Sequence, residues 1–306
     1  MLSLRPLLFS IAYRMLGTVS DAEDVVQEAW IRYQGTLREG TEIGSPKAYL
    51  SAVTTRLAID QLRSARARRE TYVGQWLPEP LLTDGGVDDP AAHAERADSL
   101  SMAFLLVLER LSPVERAVFL LHDVFDYGYP EIASIVGKTE VNCRQLAARA
   151  RRHLAANKPR FDPTHRHRDE LAARFFSAVA DGEVDQLIEL LAHDVVVYGD
   201  GGGKAPQWMA PIAGAVRVAR LLAGTGRVMR ELGVRIQPRE INGQPGALVL
   251  DPEGQLTNVF VLDVADGAVQ AVRSVINPDK LHHIGPVADV YELLRRRRPG
   301  EPDRPV

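Results

Sequence analysis

From about residue 169 the hydrophobic pattern changes its period, and this constrains the fold more than any other feature of the chain. Up to about residue 156 apolar residues recur at helical spacing. Beyond 169 two more helical stretches give way to β-branched runs separated by turn residues. The chain must therefore build an all-helical part and a separate helix-plus-sheet part, each with its own core. Its 306 residues suit two or three such cores. A single cysteine, Cys143, excludes an intramolecular disulfide framework and a cysteine-rich zinc site, which fits a reducing, cytoplasmic setting. No run reaches the ~18 apolar residues of a membrane span. The apolar patch before Gly17 is interrupted by Arg14 and repeats Leu4, Leu8, Ile11 and Met15 at helical spacing, so it reads as a core helix.

In the helical part, Ser20 followed by Glu23 reads as a capping box. The helix it opens has Ala22, Val25, Val26, Ala29 and Tyr33 on one face, with Asp21, Asp24 and Glu28, beside Gln27, on another. Ser45-Pro46 opens a second helix, proline at its first position, running to about Arg69. Residues 74–98, marked by prolines, glycines and acidic side chains, read as a linker. Within it Trp76-Leu77-Pro78-Glu79-Pro80 is too apolar for a plain spacer. It is either a clasp on the preceding helix or a segment that docks on another domain. Residues 129–154 have a helix-turn-helix layout. Pro130 begins a helix with Ile132, Ala133 and Val136 inward, Gly137 permits a left-handed turn, and a second helix follows from about Thr139.

The formal net charge of −3 hides a segregation. Residues 45–70 carry six basic and two acidic side chains, and residues 137–160 seven and one. Arginine-rich helix ends can simply complement the helix dipole. Two such helices together with a helix-turn-helix read instead as a nucleic-acid footprint. The second helix of the motif puts Cys143, Ala147 and Ala150 on a close-packing face. Asn142, Gln145 and Arg149 face the other way as candidate base readers, with Lys138, Arg144 and Arg152 suited to phosphates.

Past residue 169, helices over 169–180 and 184–191 precede a strand at Val195–Tyr198 and a helix near 213–223. Strands follow near 232–241, 246–251, 256–264 and 268–276, the last two joined by an Asp266-Gly267 hairpin turn. The pattern predicts an α+β unit with an antiparallel sheet. Gly201-Gly202-Gly203-Lys204 lacks the spacing and the Ser/Thr of a phosphate loop, since Ala205 follows the lysine. These glycines suit close backbone approach to a neighbour, and Lys204 suits pairing with Glu79. His193, Asp194, Asp200, His282 and His283 show no spacing that defines an acid–base or metal site, so no catalytic or metal-binding residue and no cofactor is assigned.

These motifs resemble those of bacterial extracytoplasmic-function sigma factors. Asp21-Ala22-Glu23-Asp24-Val25-Val26-Gln27-Glu28-Ala29-Trp30 resembles the region 2 helix that docks on the RNA polymerase β′ clamp. Pro46–Arg69, with Leu57-Ala58-Ile59-Asp60-Gln61-Leu62-Arg63, resembles the helix that melts and reads the −10 element. Leu111-Ser112-Pro113-Val114-Glu115-Arg116 and the helix-turn-helix resemble region 4, which reads the −35 element. Many members carry asparagine where this chain has Arg56, so base preference at −10 does not carry over. Trp76–Pro80, Asp200–Lys204 and Asn277-Pro278-Asp279-Lys280-Leu281 resemble the subgroup with a fused C-terminal SnoaL-like domain.

The resemblance implies two all-α sigma domains and a C-terminal α+β cone of the nuclear-transport-factor-2 type. The division is region 2 over 1–72, a linker over 73–98, region 4 over 99–160, the cone over 168–285 and a flexible basic tail over 286–306. Implied partners are core RNA polymerase (β′ clamp and β subunit) and promoter DNA, with no membrane and no separate anti-sigma factor. Asp21, Asp24, Gln27 and Glu28 would face polymerase. Arg56, Arg63, Arg66, Arg68 and Arg69 join the region 4 readers on DNA. Asp200–Lys204 and Asn277–Leu281 would clasp Trp76–Pro80 as an in-cis regulator. The competing class is a DNA-binding module fused to a small-molecule-binding or isomerase- or hydrolase-like cone.

Overall fold

The computed structural model describes residues 4–84, 99–155 and 165–297, and the chain divides into two units. The first contains 1–71 and 104–158; the second contains 72–103 and 159–306. Both are therefore discontinuous in sequence.

The first unit is helical: α1 (Arg5–Leu16), α2 (Val19–Arg38), α3 (Pro46–Glu70), α4 (Met102–Leu108), α5 (Pro113–Phe119), α6 (Tyr129–Val136) and α7 (Glu140–Ala155). The chain re-enters this unit within α4. Leu8, Ile11 and Met15 of α1 are buried with Ala22, Val25 and Val26 of α2 and Leu50, Ala58 and Leu62 of α3. Gly17, at φ 73°, makes the left-handed turn out of α1. The cap of α2 is Thr18 rather than the expected Ser20: Thr18 is extended, its hydroxyl donates to Asp21 at 2.7 Å, and Ser20 sits inside the first turn.

The two helical blocks separated in sequence by residues 72–103 share this one unit. Polar side chains bind them. Arg116, 1 % exposed, donates to the carbonyls of Leu108 at 3.0 Å and Met15 at 2.7 Å, and pairs with Glu109 at 2.7 Å. The Tyr127 hydroxyl donates to Ser51 Oγ at 2.7 Å. The Lys47 ammonium lies 5.9 Å from the Tyr127 ring centre.

The second unit comprises α8 (His165–Asp181), α9 (Val184–Leu190), β1 (Leu191–Asp200), β2 (Ile212–Ala213), α10 (Ala215–Glu231), β3 (Arg235–Ile241), β4 (Gln244–Leu250), β5 (Leu256–Ala265), β6 (Ala268–Val275), a 3-10 turn at Pro278–Lys280 and α11 (Val290–Arg297). The six strands lie in the order β2-β1-β6-β5-β4-β3. β3 to β6 form an antiparallel meander, but β1 runs parallel to β6 with Val197 opposite Val272, so the sheet is mixed rather than wholly antiparallel. A helix between β1 and the meander frees β1 from the reversal a hairpin imposes, and periodicity carries no strand direction. Asp266 and Gly267 both have positive φ, 53° and 71°, as the hairpin turn requires. Phe175 of α8, Leu187 of α9 and Val218 and Leu222 of α10 bury against Val249, Phe260 and Val272 of the sheet.

The expected flexible tail is ordered at its start. Leu256 N–H donates to the Pro286 carbonyl at 2.8 Å and Ala288 N–H to the Leu256 carbonyl at 3.0 Å, which launches α11. Residues 298–306 lie outside the described ones. No helix among the described residues is long and apolar enough to cross a membrane.

Candidate functional site

The helix-turn-helix is built as its sequence predicts. The carboxylate of Glu131 accepts from Gly128 N–H at 3.0 Å and so starts α6. Gly137, at φ 66°, ends it, and Lys138 N–H bonds the Ala133 carbonyl at 3.1 Å. Thr139 Oγ1 accepts from Asn142 N–H at 3.3 Å and caps α7. Cys143, Ala147, Ala150 and Leu154 are buried on one face of α7; burial also raises the Cys143 thiol pKa. Ile135, missed by the spacing, joins Ile132 inside, while Ala133 and Val136 are only half-buried. Lys138, Asn142, Arg144, Gln145, Arg149 and Arg152 all face solvent.

The exposed face is stiffened from beneath. Ser112 and Glu115 form a reciprocal capping box at the start of α5, with Glu115 accepting from Ser112 N–H at 3.0 Å. Arg149 reaches the other Glu115 oxygen at 3.4 Å. Burial works to raise the Glu115 pKa, but the Ser112 hydrogen bonds and then Arg149 outweigh it and hold the carboxyl below its ordinary value. A depressed carboxylate stabilises the fold above its unfolded pKa and loses that contribution as pH falls through the folded one. Arg144 stacks 5.2 Å from the Tyr129 ring centre and pairs with Glu140 at 3.1 Å.

Along α3, Arg63 is exposed beside Asp60. Arg56 is engaged within the unit: its guanidinium donates to the Ile135 and Ser134 carbonyls at the end of α6, both at 2.8 Å. Arg66, Arg68 and Arg69 lie in α3, their side chains outside the described ones. On α2, Asp24 and Gln27 are exposed. Asp21 accepts from Gln61 at 3.0 Å, and Glu28 pairs with Arg32 at 2.7 Å.

The second unit holds the other constellation. Trp76–Pro80 docks within this unit rather than spanning open solvent, and Leu77, Pro78, Glu79 and Pro80 are buried. Asp200, at the end of β1, is fully buried. Its carboxylate accepts from the Tyr72 hydroxyl at 2.5 Å, Leu77 N–H at 2.8 Å and the Lys280 ammonium at 2.6 Å. Lys280, 5 % exposed, also donates to the Leu77 carbonyl and sits 4.5 Å from the Trp76 ring centre and 5.0 Å from that of Tyr72. Asn277 donates to the Tyr72 hydroxyl at 2.8 Å, and its own side chain caps the Pro278–Lys280 turn by accepting from Asp279 N–H. Burial first, then the hydrogen bond to Asp200 and the Asp200 charge, push the Tyr72 pKa far up, so the phenol keeps the proton it donates.

The glycines act as expected. A Cβ on Gly202, at φ 59°, would collide with the Asn277 carboxamide and the Tyr72 hydroxyl, and one on Gly203 would press on Val73. Leu281 is buried below the turn. Further along, Asn242 N–H donates to the Leu81 carbonyl at 2.8 Å and Thr83 N–H to the Glu240 carbonyl at 3.0 Å, so the segment adds to the β3–β4 hairpin.

One expected pairing is replaced. Lys204 binds Asp279, not Glu79, while Glu79 lies 4.0 Å from His283, whose Nε2 meets the Pro80 carbonyl at 2.7 Å. Lys204 and Asp279 are both more than half exposed, so Lys204→Ala should cost under about 1 kcal/mol in urea unfolding, and a Lys204/Glu79 double-mutant cycle should show no coupling. His193, Asp194 and His282 are exposed, and no group of three or more His, Cys, Asp or Glu among the described residues is placed to hold a metal ion.

Comparison with known proteins matches the sigma-70 region 2 family over residues 1–68 and the sigma-70 region 4 family over 101–154. The chain is 39% identical over 292 residues to the ECF RNA polymerase sigma factor SigJ of Mycobacterium tuberculosis, covering 91% of each. It is 31% identical to the probable ECF RNA polymerase sigma factor SigI of the same species, over 90% of this chain and 92% of that one. The crystal structure of M. tuberculosis SigJ superposes with a TM-score of 0.73 at 36% identity, over 94% of this chain and 98% of that one.

Proposed function

Since the chain belongs to the extracytoplasmic-function RNA polymerase sigma factors, which direct promoter-specific transcription initiation, we propose the following division of labour among its residues. Asp24 and Gln27, with Asp21 and Glu28 beside them, meet core RNA polymerase. Arg63 and its basic neighbours on α3 contact the −10 element. The exposed face of α7 reads the −35 element. The observation that carries this reading is the split of α7, with Cys143, Ala147 and Ala150 fully buried and Asn142, Gln145 and Arg149 exposed at the spacing of a major-groove reader.

Arg56 has a different part. In this arrangement its guanidinium is committed to α6, so it reads bases only after that contact opens. The Asp200–Lys280–Tyr72 clasp supports regulation in cis, because it ties the segment joining the two halves of the first unit to the C-terminal unit. The tether supplies an effective concentration on the order of millimolar. The competing enzyme reading draws less support, since no charged residue or histidine among the described residues lines the cavity of the C-terminal unit (described below).

Promoter-dependent transcription by core polymerase supplemented with the full chain tests the reading. Arg149→Ala should weaken specific promoter binding by about 1–3 kcal/mol if the arginine is bidentate to a guanine. Arg152→Ala, a phosphate contact, should lower affinity for all sequences alike and flatten the salt slope. Equal behaviour of the two variants across sequences would remove the base-reading role. Charge reversal at Asp24 should reduce holoenzyme formation while the melting temperature holds.

A further inference from the structure

Between the sheet and helices α10 and α11 the second unit has a half-open cavity of about 210 Å³. Its walls are apolar and aromatic: Trp208 from the loop after β1, Val228 and Met229 from α10, Phe260 from β5, and Leu293 and Leu294 from α11. At one end three polar side chains converge. Ser274 Oγ accepts from Gln207 Nε2 at 2.9 Å and from Asn258 Nδ2 at 2.9 Å. Ser274 Oγ in turn donates to Asn258 Oδ1 at 3.2 Å, so the hydroxyl is fully used while Asn258 keeps a second N–H and an oxygen lone pair for an occupant. No charged residue and no histidine lines the cavity among the described residues.

We propose that this cavity is a ligand site for one small, neutral, largely apolar molecule, of one or two rings, carrying a single hydroxyl or carbonyl that bonds to Asn258. The volume sets the size: a cavity of roughly 150 Å³ already holds benzene. The lining sets the charge. A carboxylate or ammonium brought here would be desolvated with no counter-ion, whereas a hydroxyl finds donors and acceptors in place. The absence of an acid or base makes the site one for binding rather than turnover.

The site is also wired to the clasp. Gln207, whose amide anchors the polar end, packs so close to Gly199 and Gly201 that a Cβ on either glycine would overlap it. Those glycines flank Asp200. The Asp200 carbonyl in turn accepts from Ile276 and Asn277 N–H at 2.9 and 3.0 Å, and Ile276 lines the cavity. An occupant that fixes Gln207 and Ser274 therefore fixes the strand ends that hold Tyr72 and Leu77.

The test uses the full chain with two probes that share one ring system, 2-naphthol (neutral at pH 7) and 2-naphthoate (anionic). Titration calorimetry should give one saturable 2-naphthol site and at least tenfold weaker 2-naphthoate binding. Met229→Trp, which fills the cavity, should abolish the site. Asn258→Leu, which keeps the volume and removes the polar anchor, should weaken 2-naphthol about tenfold. Melting curves identify a variant that fails to fold, and the other variant then carries the comparison. Saturating 2-naphthol should slow hydrogen exchange at the Leu77 amide at least fivefold. No saturable binding, or parental binding by a folded variant, overturns the site. Equal affinity for the two probes overturns the neutral class, and unchanged Leu77 exchange overturns the link to the clasp. None of these readouts depends on transcription, so the site and the assignment as an initiation factor fail separately.

Discussion

Asp200→Ala should cost the second unit about 3–5 kcal/mol, the penalty for leaving a buried ion without its partner. The alanine strands the Lys280 ammonium at 5 % exposure and leaves Leu77 N–H and the Tyr72 hydroxyl without their acceptor. Hydrogen exchange of the full chain should show the loss as faster exchange over 72–84, well before the sheet opens. Replacing both partners, Asp200→Asn with Lys280→Met, should recover part of the loss, since an uncharged pair no longer carries an unmatched ion. Tyr72→Phe should cost less, about 1–3 kcal/mol, because it removes one donor and leaves the ion pair. If the clasp regulates initiation with a coupling of about 1–3 kcal/mol, transcription by Asp200→Ala should depart from the parent roughly 5- to 150-fold. Parental transcription with exchange over 72–84 accelerated would separate the clasp from regulation.

The second large effect belongs to Arg116. Its three nitrogens satisfy the carbonyls that end α1 and α4 and the Glu109 carboxylate. Arg116→Ala should destabilise the first unit by about 3–5 kcal/mol. Arg116→Lys should recover little, because a compact ammonium cannot reproduce a planar fork that meets three acceptors in different directions. Peptide-resolved exchange over α1 and α5 distinguishes this local loss from an effect on the second unit. Exchange in both units rising together would contradict the assignment.

What the sequence reveals and what it hides follow one physical line. Interactions within an element, or between neighbours along the chain, leave a trace in spacing. The face of α7, the Gly137 turn, the Asp266-Gly267 hairpin and the buried side of α2 were all legible, because each depends on residues a few positions apart. Interactions closed only by tertiary packing leave none. Lys204 looked like the natural partner of Glu79, yet the buried cation of the clasp is Lys280. Nothing in Asn277–Leu281 distinguishes a lysine pointing into a core from one on a turn. Arg56 reads as one more basic residue on a basic helix until α6 comes beside it. The parallel pairing of β1 with β6 and the cavity beneath α11 are likewise properties of the assembled sheet. Trp76–Pro80 sits between these cases: its apolar character signalled burial, but not against what.

The discontinuity of both units has a consequence for the order in which the protein comes off the ribosome. Every helix of the first unit has been synthesised once Ala155 is in place, but the strap at 72–84 waits for Asp200, the meander and finally Lys280. At translation rates of about 5–20 residues per second that interval is on the order of ten seconds. A newborn chain thus spends time with its promoter-reading helices complete and its latch still unmade. Conditions that slow elongation over the C-terminal third would lengthen that period with no change in the finished protein.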